Sequence, residues 1–276
     1  MTTRSQTLDI SDSRLQLAAL WPLFILSLRQ HLRGRRLLVL SLLFLLPSVL
    51  AALVRVAPYP PPPDQLEFAF IFNLIPHTLA TLTALLYAAG IIQDEVEGQT
   101  LTYLLLRPLP RWALYLTKLL ATILVTAVLT GVFTIFAFVV IYWNTPELWG
   151  DVLPGRAFKT AALLALAQAA YCSLFGALGL VTRRSLIAGL AYIVVFEGLL
   201  ANLDFVVRKL TVMYYFRVLA VRWLGVPANE WSLDLAVAPG SNSCLLILLG
   251  VAAVFTILGA ALMMSREFRM KTPEGN

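Results

Sequence analysis

Residues 119–143 read LLATILVTAVLTGVFTIFAFVVIYW, a run of 25 residues without a charge. A helix rises ~1.5 Å per residue, so this run is long enough to cross a hydrocarbon core of ~30 Å. The rest of the chain has the same character, because 59% of its 276 residues are hydrophobic and only 13% are charged. Water-soluble domains do not have this composition. We therefore expect an integral membrane protein.

Five other uncharged runs flank this one. In chain order the six predicted spans are Leu37–Val54, Phe68–Ile92, Leu119–Trp143, Thr160–Thr182, Ser185–Ala201 and Ser243–Met264. The segment Phe205–Leu224 is also apolar, but it contains four basic residues, and a central Arg costs a span ~2.5–3.5 kcal/mol. We expect this segment to form outer-face helices that touch or re-enter the membrane.

Lys and Arg are distributed unevenly between the two sides of these spans. Fourteen lie on the side that contains both termini, and seven lie on the other side. Basic residues accumulate on the cytoplasmic side of membrane proteins, so we expect both termini in the cytoplasm. The net charge of +6 then reflects orientation and contact with anionic lipid, and nucleic-acid binding is a poor interpretation.

An amphipathic pattern precedes the first span. Its apolar positions recur at helical spacing and are Leu17, Trp21, Phe24, Leu28 and Leu32. Arg29 and Arg33 take the opposite side of the same helix. This pattern predicts a helix that lies at the membrane surface.

An acidic segment follows the second span on the cytoplasmic side. Three carboxylates lie at positions 94, 95 and 97. Gly98 can end the helix that leaves the membrane, and Thr100 can cap a new short helix. Leu101 and Leu104 give that helix an apolar face too large for the loop to bury. Since the acidic cluster disfavours contact with anionic lipid, we expect this helix to dock into another protein.

A few polar residues fall inside the predicted spans. Asn73 and His77 are four apart and share a helix face, where they either join neighbouring helices or line a substrate path. Glu197 is the only carboxylate within a predicted span. Such a residue either has a function, pairs with Arg208 or Lys209 at the outer face, or reaches up to the lipid headgroups.

These features come together in a resemblance. The run EVEGQTLTYLLLRPLPRWALYLTK (residues 95–118) resembles the cytoplasmic segment of the permease subunits of type-two ATP-binding-cassette (ABC) exporters. WPLFILSLRQHLRGRR (residues 21–36) is similar to the connecting helix of that family, and FEGLLANL (residues 196–203) to the end of its fifth span. Residues 204–239 occupy the place of its re-entrant helices. The chain departs from the family pattern at Gln99, which separates the usual Gly from Thr.

The resemblance implies a fold and partners. The fold class is an all-α integral membrane protein with six transmembrane helices, an N-terminal amphipathic connecting helix, and outer re-entrant or interfacial helices between spans five and six. Residues 1–276 form a single ABC exporter-type transmembrane domain, in which residues 1–36 are the cytoplasmic N-terminus and amphipathic helix. Residues 93–118 are the cytoplasmic coupling segment, and residues 202–242 are the outer-face helices.

The family also implies the contacts of this chain. The expected assembly is a homodimer of permeases with two copies of a separate ABC ATPase, in a bacterial-type plasma membrane. The residues implied in ATPase coupling are Glu95, Glu97, Gly98, Thr100, Leu101, Leu104, Arg107 and Arg111. ATP and Mg would bind the partner ATPase, and no cofactor or metal is expected on this chain.

The sequence weighs against catalysis by the chain itself. It contains no G-x-x-x-x-G-K-[ST] phosphate loop, no H-E-x-x-H and no G-x-S-x-G motif. We expect an exporter of an amphiphilic, lipid-like or hydrophobic peptide substrate, because ionisable groups within the spans are scarce. The alternative is a non-transporting membrane scaffold or sensor that recruits a cytoplasmic partner through the same short helix.

Overall fold

A computed structural model of the chain describes residues 20–97, 110–145, 150, 153–182, 184–202 and 206–265. The regular elements in these residues are all helical. The main helices are α1 (Leu20–Arg33), α2 (Arg35–Arg55), α3 (Pro63–Leu66, Glu67–Ala80 and Thr81–Ala88 in succession), α4 (Gln93–Glu97), α5 (Arg111–Ile141), α6 (Leu153–Val181), α7 (Ser185–Tyr192), α8 (Val212–Leu224) and α9 (Ser241–Ser265). The middle part of α3, Glu67–Ala80, is a π-helix, and α7 continues through Ile193–Leu199 and Leu200–Asn202.

Six helical segments within the described residues are long and apolar enough to cross a membrane. They are Arg35–Arg55, Pro63–Glu95, Arg111–Ile141, Leu153–Val181, Ser185–Asn202 and Ser241–Ser265. The prediction of six spans is therefore confirmed. Helix α8 has 13 residues and would cover only ~20 Å, which is too short to cross. Re-entry of this outer segment into the membrane stays a prediction.

The observed spans extend beyond the uncharged runs that predicted them. Helix α5 begins at Arg111, although its uncharged run begins at Leu119, and the second span begins at Pro63, although its run begins at Phe68. The added turns carry buried charged residues, Lys118 and Glu67. A charge ends a hydropathy run, but it does not end a helix when a partner elsewhere in the fold neutralises it.

Helix α6 lies at the centre of the bundle. In its most apolar window 67% of the residues are buried, the largest share among the six spans. Gln168, near its middle, donates from Nε2 to Ala80 O at 3.1 Å and to Thr130 Oγ1 at 3.0 Å. One amide thus joins α6 to both α3 and α5, which is the use of polar residues expected between membrane helices.

Buried threonines on α5 are satisfied within their own helix. Each donates its hydroxyl to the carbonyl four residues earlier, and they are Thr117, Thr122, Thr126, Thr130 and Thr134. Such bonds let a hydroxyl enter a bundle without leaving an unpaired donor. The helix can therefore be buried along much of its length at low cost.

Candidate coupling site at the end of the second span

Helix α4 continues the second span after a short turn, and three consecutive side chains on it contact four other helices. Gln93 bonds α7, Asp94 bonds α2, and Glu95 bonds α5 and α1. Successive residues of a helix point about 100° apart, so a short helix surrounded by neighbours can reach several at once. We call Gln93, Asp94, Glu95 and their side-chain partners the α4 cluster.

The buried member of the α4 cluster is an ion pair. Lys118 Nζ donates to Glu95 Oε1 at 2.5 Å, and the two side chains are 7% and 8% exposed. Gln30 of α1 also donates from Nε2 to Glu95 Oε1, at 3.4 Å. Charges buried this far from water are tolerated only when paired and hydrogen-bonded. The pair therefore fixes α4 and α1 against the first turns of α5.

The second ion pair is bidentate and half-exposed. Arg36 donates from Nη1 to Asp94 Oδ2 at 2.6 Å and from Nη2 to Asp94 Oδ1 at 3.1 Å. A Cβ atom on Gly90 would lie 2.9 Å from both carboxylate oxygens of Asp94, so glycine leaves the room that this carboxylate occupies. The planar fork of Arg fixes orientation as well as distance. The start of α2 is thereby aligned with α4.

The third contact reaches the fourth and fifth spans. Ser185 Oγ at the start of α7 donates to Gln93 Oε1 at 2.8 Å. Nearby on α6, a Cβ atom on Gly179 would lie 2.5 Å from the backbone oxygen of Ala89, in the turn between α3 and α4. That separation is well inside van der Waals contact, so only glycine permits this approach. The turn that leads into α4 is thus held against α6 and α7.

Helix α1 packs on α5 through its less apolar side. Its buried residues are Leu23 and Ser27, whereas Trp21 is 66% exposed and Leu32 is 51% exposed. His31 Nε2 lies 3.1 Å from Thr122 Oγ1, within hydrogen-bond distance. Phe24 and Leu28 of the same apolar stripe are half-buried, and Leu28 packs against the core, so the stripe is partly exposed and partly packed on the bundle.

The environment of His31 favours its neutral form. Burial, followed by the positive charge of Lys118, lowers the pKa of His31 from 6.5 to about 4. The imidazole also makes an edge contact with the ring of Tyr87 at a centroid distance of 5.1 Å. At neutral pH this residue therefore acts as a hydrogen-bonding group and adds no charge to the cluster.

Only part of the predicted coupling set lies in the described part of the chain. Glu95 is at the centre of the cluster, Arg111 begins α5, and the backbone of Glu97 belongs to α4. The side chain of Glu97 and the whole of Gly98, Thr100, Leu101, Leu104 and Arg107 lie outside the described residues. Sequence reasoning missed Lys118, Arg36 and Ser185 as partners. For Lys118 and Arg36 a signal was available, because these basic residues lie at the same predicted membrane boundary as the acidic segment, but it does not apply to Ser185.

A second polar cluster, which sequence reasoning missed entirely, lies at the opposite end of the bundle. Glu67, 1% exposed, accepts from Arg156 Nε at 2.6 Å and from the Tyr142 hydroxyl. Arg156 also donates from Nη1 to Leu224 O at 2.8 Å. We call Glu67, Tyr142, Arg156 and Leu224 O the Glu67 cluster. It joins the second, third and fourth spans to the end of α8.

Asn73 and His77 lie on the π-helical part of α3. The Asn73 side chain is exposed, and it has no hydrogen-bond partner within the residues that the structure describes. His77 is half-buried, and its Nδ1 is a buried atom without a partner in the same described set. The two residues therefore lie at a surface of this chain, and their role as packing or substrate contacts stays a prediction.

Glu197 lies against the N-terminus of α8. It accepts from the backbone N–H groups of Val212 and Met213 at 3.3 and 3.2 Å, and from the Tyr192 hydroxyl at 3.3 Å. The first N–H groups of a helix have no partner within the helix, and its N-terminus carries partial positive charge. The α8 amides therefore help to hold this buried carboxylate, and the guanidinium of Arg217 interacts with it electrostatically.

Within its described residues the protein has six candidate membrane spans, and the α4 cluster joins five helices at one end of the bundle. These features define a multi-pass membrane protein whose helices are linked at that end. A family model described as ABC-2 family transporter protein matches residues 21–268. The chain therefore belongs to the ABC-2 transporter family and is a membrane permease subunit of an ABC transporter. The family implies a partnering ABC ATPase subunit, and the permease is not itself the ATPase. A search of curated proteins finds no match.

Proposed function

We propose that this permease exports an amphiphilic, lipid-like or hydrophobic peptide substrate, driven by an ATPase that docks at the α4 end of the bundle. In this proposal both termini and residues 93–118 face the cytoplasm of a bacterial-type plasma membrane. ATP and Mg bind the ATPase chains. Residues 1–276 act as one transmembrane domain, and residues 202–242 form its outer face.

The α4 cluster is the observation that carries the proposal. It lies directly before the segment that the sequence predicts to contact the ATPase, and it bonds the second span to α1, α2, α5 and α7. A displacement of the coupling segment would therefore move several helices together. Rigid-body transmission of this kind needs stiff, buried contacts, and the Glu95–Lys118 pair supplies one.

The proposed assembly is a homodimer of permeases with two ATPase copies. The exposed side chain of Asn73 in the second span supports the homodimer. The Asn73 amide is exposed on the isolated chain, at a depth where hydrocarbon would surround it. Amides within a membrane are stabilised by hydrogen bonds to a neighbouring helix. A second copy of the permease, packed on this face of α3, would provide that partner.

The substrate class is inferred from the charges. Within the described parts of the spans, Glu95 pairs with Lys118, Glu67 pairs with Arg156, and Glu197 accepts backbone hydrogen bonds. These groups are already satisfied, so they are poorly suited to replace the hydration shell of an inorganic ion. A substrate with a large apolar part needs fewer protein groups to replace its hydration shell.

Transport in inside-out vesicles tests this function. Vesicles that contain the permease and its ATPase should accumulate a fluorescent lysophospholipid when ATP is added outside, and should not accumulate radioactive rubidium. Glu97→Arg and Leu101→Asp should abolish accumulation, whereas Glu230→Arg, an equivalent change at an exposed residue on the outer face, should leave it intact.

The scaffold alternative predicts a different result. A scaffold would still bind a cytoplasmic partner through residues 93–118, but ATP would move no substrate. ATP-driven uptake of rubidium alone would overturn the substrate class. An ATPase that copurifies equally well with Glu97→Arg and Leu101→Asp would overturn the coupling assignment.

A further inference from the structure

A cavity of about 490 Å³ opens between α1, α2, the end of α3, α4 and α5, beside the α4 cluster. Its lining includes Ser27, Arg35, Tyr87, Asp94 and Lys118. One water occupies ~30 Å³ in the liquid, whereas cavities that hold organic ligands measure ~300–1,000 Å³. The volume is therefore that of a ligand site.

Two hydroxyl groups in this lining have no hydrogen-bond partner in the described part of the chain. Ser27 and Tyr87 are each 2% exposed, and the structure gives neither hydroxyl a hydrogen bond within the described residues. The buried threonines of α5 behave differently, because each bonds a carbonyl of its own helix. A buried hydroxyl without a partner is costly, so two of them at one cavity indicate a polar ligand.

The charges of the lining leave one positive charge uncompensated. Arg36 pairs with Asp94, and Lys118 pairs with Glu95. Arg35 lines the same cavity and forms no ion pair with any residue that the structure describes. A ligand with a single negative charge would balance it.

The surroundings of Arg35 favour a lipid as the source of that charge. Leu32 is 51% exposed and Leu38 is 71% exposed, on the two helices that meet next to Arg35. Apolar surface beside a cation is the arrangement that an acyl chain and its headgroup require. A free anion would pair with Arg35 but would leave this apolar surface uncovered.

We propose that this cavity binds the phosphate of a phospholipid headgroup, with Arg35 as its counter-ion and the hydroxyls of Ser27 and Tyr87 as hydrogen-bond donors. The acyl chains then lie along the outward faces of α1 and α2. A phosphodiester headgroup with one net negative charge, such as that of phosphatidylglycerol, matches the lining better than a zwitterionic headgroup. The placement of this end of the bundle at the lipid headgroup level rests on the proposed function.

Lipid retention by the purified full-length permease tests the site. The protein, without ATPase, is equilibrated in phosphatidylcholine nanodiscs that contain a minority of phosphatidylglycerol, and the lipid retained after release is measured by native mass spectrometry. Arg35→Gln should reduce the retained phosphatidylglycerol about tenfold, since a hydrogen-bonded charge of this kind is lost. Arg33→Gln, the same charge change at an exposed residue outside the cavity lining, should not.

The double variant Ser27→Ala with Tyr87→Phe separates binding from folding. Because neither hydroxyl has a partner among the residues that the structure describes, their removal should leave the lipid-free melting temperature unchanged or raised, while phosphatidylglycerol retention falls. Retention that falls equally in Arg33→Gln and Arg35→Gln, or in neither, would overturn the site. Displacement of the lipid by millimolar glycerol phosphate would overturn the lipid source, and failure to displace it would support that source.

The same variants distinguish this inference from the proposed function. Copurification of the ATPase with Arg35→Gln should be unchanged, because Arg35 is absent from the predicted ATPase contact. Loss of lipid together with an intact ATPase complex would support both proposals. Normal lipid retention would overturn the lipid site alone.

Discussion

Lys118 and Glu95 form a buried ion pair, with Nζ and Oε1 separated by 2.5 Å, across 23 positions of sequence. The two residues bracket the predicted coupling segment, since Glu95 ends the second span and Lys118 lies in the first turns of the third. The ion pair therefore holds the two ends of the predicted coupling segment next to each other. Any force applied between these residues acts on two spans joined by a contact with little access to water.

Breaking the pair should destabilise the permease strongly. Glu95→Gln leaves Lys118 buried without its counter-ion, and Lys118→Met does the same to Glu95, so each variant should lose about 3–5 kcal/mol of stability. The double variant should recover most of that loss. Thermal unfolding in nanodiscs measures all three, and additive losses in the double variant would show that the pair is not coupled.

Acid should weaken the docking of α1. With α1 docked, the pKa of His31 is about 4, and an undocked, solvated His31 would titrate near 6.5. Between these values the undocked state binds more protons, so stability rises with pH from 4 to 6.5 and falls on acidification. The charged and titratable groups facing His31 are Lys118, Asp94, Arg36 and Tyr87.

His31→Gln isolates this effect. Amide exchange of α1 should accelerate between pH 6.5 and pH 4.5 in the natural sequence, once the intrinsic pH dependence of exchange is removed. The variant should show a smaller acceleration, because Gln does not titrate. An identical acid response in both proteins would mean that His31 does not control docking.

The Glu67 cluster should hold α8 in place. Arg156→Gln removes the ion pair with Glu67 and the bond to Leu224 O, and should cost about 2 kcal/mol, because the Arg side chain is partly solvated. Amide exchange near the end of α8 should rise. Lys159→Gln, an exposed residue on the same helix, is the control and should change neither quantity. Equal effects of the two substitutions would contradict the assignment.

Glu197 should act as a cap for α8. Glu197→Ala should lower stability by about 1–2 kcal/mol and speed exchange of the Val212 and Met213 amides, since both lose their acceptor. Glu197→Gln keeps an acceptor oxygen and should retain most of the stability and transport. Transport lost in Glu197→Gln with stability unchanged would instead favour a substrate role.

The number of spans could be predicted from the sequence because hydropathy is a local property of the chain. The ends of the spans could not, since residues such as Glu67 and Lys118 are buried only by virtue of partners far away. Arg156 is 89 positions from Glu67, and no periodicity connects them. The prediction of one carboxylate within the spans missed Glu67 for this reason.

The candidate site was predictable in its location more than in its contacts. The acidic residues Asp94 and Glu95 after the second span lie in the α4 cluster, with Glu95 at its centre, and the role of the acidic segment in coupling stays a prediction. The Glu95 partners Lys118 and Gln30 are defined by helix packing, which the spacing of residues does not reveal. For Glu197 the sequence left open a function, pairing with Arg208 or Lys209, or contact with headgroups, whereas the structure shows hydrogen bonds from backbone N–H groups of a helix that begins 15 positions later.

Site-directed photo-cross-linking tests the central claim most directly. A benzophenone amino acid replaces Glu97 in the permease, or Glu230 as the control, and the complex with its ATPase is irradiated. Position 97 should give a covalent adduct with the ATPase subunit, and position 230 should give none. An adduct at position 230, or none at position 97 while the ATPase still copurifies, would contradict docking at this end of the bundle.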